Sequence, residues 1–139
     1  MTRAFIGITS VAMALSLATA TQAGTLASAA RQGLPVAYAR MTTGGVLQAF
    51  GGKGTSAATS SGNAFQKDVV FTGRYPQDIT PSKVILQSTV QSSYYGVSNA
   101  DVVSASPTEI RVRVYSWRSD IISSSGVSGD TFVTVFVGK

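Results

Sequence analysis

The stretch TEIRVRVYSWRSDIIS, from Thr108 to Ser123, decides how this sequence folds. Read as an extended strand, it sends Ile110, Val112, Val114 and Ser116 to one face and Arg111, Arg113, Tyr115 and Trp117 to the other. A strict period of two with β-branched residues on the apolar side describes a half-buried strand: one row fills a core and the other faces outward. Trp117 is the only tryptophan in the chain and falls on the charged side, away from that core. An aromatic that size on an outer face needs a second use, in a ligand site or in an interface.

Working outward, the same signature recurs. Lys67 to Tyr75 (KDVVFTGRY), Lys83 to Val90 (KVILQSTV), Val97 to Ala105 (VSNADVVSA) and Thr131 to Val137 (TFVTVFV) are rich in β-branched and aromatic residues. Turn-forming residues separate them at Pro76 to Pro81, Ser92-Ser93, Ser106-Pro107 and Ser123 to Gly129. Upstream, Val36 to Arg40 and Val46 to Phe50 read as two short strands around a Gly44-Gly45 turn, while Gly51 to Asn63 (GGKGTSAATSSGN) reads as a mobile loop from its composition. No segment after the first residues shows a helical period. The expectation is an all-β fold, an antiparallel β-sandwich of about six to seven strands.

In the last strand Val133, Val135 and Val137 point one way and Phe132 and Phe136 the other. Burying a phenylalanine contributes about 1.5–3 kcal/mol, so two bare rings on a small domain call for a cover. A symmetric oligomer supplies one; the N-terminal segment folding over them is the alternative.

The chain opens as an export signal does. Arg3 precedes an apolar run from Ala4 to Ala18, too short to cross a bilayer comfortably, followed by small residues that offer cuts after Ala20, Ala23 or Ala29. We take residues 1–23 as the leader, 24–64 as an arm with short strands and the Gly/Ser-rich loop, and 65–139 as the sandwich. The expected location is secreted, periplasmic or extracellular, with no membrane span once the leader is gone. About 115 residues then remain, enough for one core.

The whole chain carries 11 Lys and Arg against 6 Asp and Glu, a formal +5, and loss of Arg3 lowers it by one. The cations are spread out rather than striped, which argues against nucleic acid as a partner. There is no Cys and no His. That excludes disulfides, the serine–histidine triad, cysteine nucleophiles and the usual zinc and copper ligand sets, so no catalytic residue, metal or cofactor is assigned and a non-enzymatic role is expected. Gly51-Gly52-Lys53-Gly54-Thr55 is not a phosphate loop, because Gly54 separates the lysine from the hydroxyl residue.

The run FQKDVVFTGRYPQDITPSKVILQSTV, then VVSASPTEIRVRVYSWRSDIIS, then a closing hydrophobic strand, resembles the H-type lectin domain, the family of the snail agglutinins and the C-terminal domain of discoidin. The resemblance spans Phe65 to Lys139. It implies an antiparallel sandwich that assembles as a homotrimer and binds galactose or N-acetylgalactosamine in clefts between protomers. By that resemblance Trp117 takes the place of the cleft tryptophan, with Arg118 after it, and Ser123 stands where the family has a covering aromatic. Val97 replaces the family's sugar-binding arginine, and its loop aspartate falls near Ser60. Asp120, Tyr94 and Tyr95 complete the candidate ligand residues, since a sugar cleft needs a flat ring and a few fixed polar groups. The competing expectation is a structural or assembly module of a surface appendage or fibre, in which Trp117 seals an interface and no sugar binds.

Overall fold

Glu109–Arg118 forms a ten-residue strand with the alternation its sequence demands: Ile110, Val112, Val114 and Ser116 are buried and Arg111 is exposed. It is the seventh of eight strands in the computed structural model, which describes residues 33–92, 96–118 and 129–138. In order these are β1 (Ala37–Met41), β2 (Leu47–Gly51), β3 (Thr55–Gly62), β4 (Gln66–Gly73), β5 (Val84–Gln91), β6 (Gly96–Ala105), β7 (Glu109–Arg118) and β8 (Asp130–Val137), with a single 3-10 turn at Pro81–Lys83.

The strands form two four-stranded antiparallel sheets. Sheet A has the order β2-β1-β8-β5, and sheet B the order β3-β4-β7-β6. Side-chain hydrogen bonds tie the sheets together along both open sides. Ser60 Oγ donates to the Gly45 carbonyl at 2.7 Å on the β2/β3 side, and Ser98 Oγ donates to Ser88 Oγ at 3.0 Å on the β5/β6 side. Gly45 has φ +81° in the β1–β2 turn, where a Cβ would press on the backbone of Ser61 and Gly62. Glycine is required there by both conformation and space.

Between the sheets lies a core of Val69 and Phe71 from β4, Ile110, Val112 and Val114 from β7, Val133, Val135 and Val137 from β8, and Ala37, Ala39 and Met41 from β1. Each large side chain so buried contributes about 1.5–3 kcal/mol, which is what holds a chain with no disulfides together. Tyr75 and Ile79 pack into one end of this core, and the Tyr75 hydroxyl meets Thr55 Oγ1 at 3.0 Å.

Local chemistry closes the hairpins. Asn63 Oδ1 accepts from the backbone N–H groups of Phe65 and Gln66, both at 2.9 Å, turning β3 into β4. Ser106 Oγ accepts from the N–H of Glu109 at 3.1 Å, so the expected Ser106-Pro107 turn joins β6 to β7.

Two expectations change. The Gly/Ser-rich stretch taken as a mobile loop contains β3, an edge strand paired along its length with β4, from Thr55 opposite Gly73 to Gly62 opposite Lys67. Its small side chains carry no hydrophobic alternation, and the ladder of backbone hydrogen bonds to β4 supplies what the side chains do not. With β3 present and β1 lying between β2 and β8, the described residues form a sandwich of eight strands, from Ala37 onward, rather than six or seven. The second change concerns Phe132, whose ring is covered by the Arg40 guanidinium at 5.5 Å, itself held by Asp130 at 2.8 and 2.5 Å. A neighbouring strand thus shields part of the face for which the sequence suggested an oligomer or the N-terminal segment. Phe136 lies opposite Ile85 of β5, and Ile85 is 58% exposed.

Residues 1–23 of the expected leader, and the segment that follows as far as residue 32, lie outside the described residues. Among those described, no helix is long and apolar enough to cross a membrane.

Candidate functional site

β7 places Trp117 and Arg118 at its last two positions, opposite Val97 and Gly96 of β6. Trp117 is half-buried on the outer face of sheet B, on the side opposite the buried Ser116. It is therefore not a core tryptophan, in keeping with the parity of its strand. Of the other candidate ligand residues, Asp120, Ser123, Tyr94 and Tyr95 lie outside the described residues. Trp117 and Arg118 are thus the two whose positions are known.

Register shows what surrounds them. Tyr115, one pleat before Trp117 on the same face, lies opposite Asn99 of β6 on one side and Gln66 of β4 on the other. Its ring packs against Phe65 with centroids 5.8 Å apart and planes tilted by 57°. Edge-tilted contact of this kind is a favoured aromatic geometry and fixes the orientation of the Tyr115 ring. Next along the strand, Arg113 lies between Asp101 and Asp68. Its guanidinium grips Asp68 with two hydrogen bonds, Nε to Oδ1 at 2.7 Å and Nη2 to Oδ2 at 3.2 Å. The Asp68 hydrogen bond and charge raise the Arg113 pKa further above its ordinary value. Arg111 Nε donates to Glu109 Oε1 at 2.5 Å.

β6 carries a bulge between Val102 and Ser104, which leaves Val103 52% exposed. A shallow depression opens beside it, lined by Asp68, Val70, Val103, Arg111 and Arg113. The outer face of sheet B therefore runs from an aromatic end at Trp117, through a fixed arginine–carboxylate fork, to a small apolar-floored hollow.

Beneath the aromatic end is a group the sequence reading did not single out. Lys67 is fully buried on the inner face of β4. Its ammonium donates to Ser116 Oγ at 3.0 Å and to the Ala64 carbonyl at 3.2 Å, and Ser116 Oγ lies 3.4 Å from Thr131 Oγ1. Burial lowers the Lys67 pKa from its ordinary value, because the charged form loses hydration. A serine hydrogen-bonded to such a lysine has the composition of a nucleophile and base. Both side chains are buried with zero exposure, so substrate does not reach them as the chain stands. The pair serves the packing at this end of the core. The signal was available: Lys67, Val69 and Phe71 share one parity in β4.

Among the described residues no three His, Cys, Asp or Glu side chains gather into a group that could hold a metal. The aromatic end and the fork offer stacking and hydrogen-bond donation, which are binding functions.

No protein-family model matches this chain, nor does any curated protein or solved structure.

Proposed function

We propose that this chain is an exported carbohydrate-binding protein of H-type-lectin-like kind, acting without catalysis as a homotrimer, with glycan bound at the Trp117 end of sheet B where protomers meet. The observation that carries the reading is the half-buried Trp117 on the outer face, in line with Tyr115 and, two pleats along, with the fixed Arg113–Asp68 pair. A ring face takes the C–H side of a pyranose, and the neighbouring donors and acceptors take its hydroxyls. The order of strands and turns from Phe65 onward supports the family reading, which names galactose or N-acetylgalactosamine as the sugar. A shallow site of this kind binds at about millimolar strength, roughly −4 kcal/mol. A trimer facing a glycan-coated surface gains about a hundredfold or more through effective concentration.

The test is a glycan array on the mature protein with Trp117→Ala alongside. Binding that is lost in the variant supports the reading; absence of binding, or binding indifferent to the substitution, removes it.

The second reading, an assembly module of a surface appendage, draws on the other sheet. Ile85 (58% exposed), Tyr38 (44% exposed) and the half-buried Phe136 lie on the outer face of sheet A. The glycan array separates the two and light scattering tests the assembly that both require, because a protein that assembles normally yet binds no glycan fits the module alone.

A further inference from the structure

The outer face of sheet B extends well past Trp117, and its composition narrows the ligand. Trp117 and Tyr115 are two residues apart on one side of one strand, so their rings are spaced by about 7 Å along it at the usual rise per residue. Tyr115 is held by Phe65 and flanked by the side-chain amides of Asn99 and Gln66. One pleat further is the Arg113–Asp68 fork, with Asp101 opposite, and beyond it the hollow beside Val103. A single terminal sugar occupies only the first of these positions.

Charge narrows the alternatives. Along the middle of β7 the two described guanidinium groups are engaged by carboxylates, Arg111 by Glu109 and Arg113 by Asp68, and Asp101 adds a further negative group. Among the described residues of β4, β6 and the middle of β7 on this face, two guanidinium groups stand against three carboxylates, which disfavours a polyanion such as nucleic acid or an acidic polysaccharide. What remains is a surface of ring faces and pre-oriented donors and acceptors without net positive charge, which suits an uncharged polyhydroxylated chain.

From this we infer that the ligand is an extended, neutral saccharide chain lying along β7, with successive rings on Trp117 and Tyr115 and the hydroxyls of a further ring on the Arg113–Asp68 fork. This rests on the glycan reading above and gives it a substrate class: an oligosaccharide or polysaccharide rather than a lone terminal sugar.

Isothermal titration calorimetry with the whole mature protein tests it. The probes are any array-positive sugar, neutral β-1,4-linked gluco-, xylo- and manno-oligosaccharides of one to six rings, and polygalacturonate as the acidic counterpart. In at least one neutral series the affinity rises tenfold or more between one ring and four, and polygalacturonate does not bind. Tyr115→Ala brings the four-ring ligand back to the affinity of the single ring, Tyr115→Phe restores the gain because it keeps the stacking face, and Trp117→Ala abolishes both. Circular dichroism on each variant confirms an intact sheet signal. An affinity independent of chain length, a Tyr115→Ala variant with an undiminished gain, or a preference for polygalacturonate overturns the chain proposal while leaving glycan binding in place. Absence of binding to every saccharide overturns both.

Discussion

On the inner face of sheet B the Lys67 ammonium is wholly buried and donates to a serine hydroxyl and a backbone carbonyl, while one residue along β4, on the outer face, Asp68 stands in water's reach in a two-point grip on Arg113. The two faces are made by the same strands and hold cations by different means. Inside, a hydroxyl and a carbonyl accept from the ammonium and desolvation acts on the charge itself; outside, an opposite charge is close and water screens both. The inner face therefore governs stability, and the outer face can be altered with little effect on folding. That separation allows the outer face to carry a ligand site.

The sharpest test of the inner face is Phe71→Ala. Phe71 is completely buried beside Val69 and opposite Ile110, and truncation leaves a cavity that the neighbouring strands fill only in part. A loss of about 3–5 kcal/mol is expected, read as a lower urea midpoint at unchanged slope. A loss of that size is a large share of the stability of a small domain. A midpoint close to that of the wild type would show that the two sheets do not share the core described.

Ser116→Ala probes the polar end of the same face. The substitution removes the hydroxyl that accepts from Lys67 and leaves the Ala64 carbonyl to accept from the ammonium. The expected cost is about 1–3 kcal/mol, that of a buried donor losing a partner. Ser116→Thr keeps the hydroxyl and should recover part of it.

The inner and outer rows of β7 are legible in the sequence because period-two alternation is local, and Ile110, Val112, Val114 and Trp117 all fall where parity puts them. β3 is not, since Thr55 to Gly62 has no apolar alternation and becomes a strand only through its pairing with β4. The candidate site divides in the same way. Tyr115 and Trp117 share a strand and could be read together, whereas Phe65, Asn99 and Asp68 join them only through register across three strands, which depends on non-local pairing. The Lys67–Ser116–Thr131 cluster draws on three strands from two sheets, and only the parity of Lys67 was visible beforehand.

A smaller effect follows from protonation. The folded chain holds Lys67 with a pKa below the ordinary 10.5, so between that lowered value and 10.5 the unfolded chain binds more protons. Stability due to this group therefore rises with pH across that window, at most about 1.4 kcal/mol per pH unit, and is level below it and above it. Tyr75 acts oppositely: burial raises its pKa above 10.0, so the unfolded tyrosine ionises first and stability falls as the solution becomes more alkaline. Comparing the wild type with Lys67→Met cancels the Tyr75 contribution. The difference between their unfolding free energies should move in favour of the wild type as pH climbs toward 10.5, and a difference independent of pH would mean that Lys67 keeps its ordinary pKa in the fold.

The outer face supplies the smallest expected effect, and the one that decides whether the comparison holds. A double-mutant cycle on Arg113→Gln and Asp68→Asn measures the coupling of a pair whose side chains are each 39% exposed. Two parallel hydrogen bonds favour the pair, but water competes for both groups and holding two side chains in one geometry costs entropy. The coupling should be well below the cost of Ser116→Ala and fade as salt is raised, because exposed charges are screened within about 8–10 Å at physiological ionic strength. The same two variants should nevertheless weaken binding of a saccharide chain, since the fork that contributes little to folding is the one that presents oriented donors to the ligand. A coupling as large as the Ser116 effect would mean that the outer face is structural after all, and the separation of roles between the two faces would be lost.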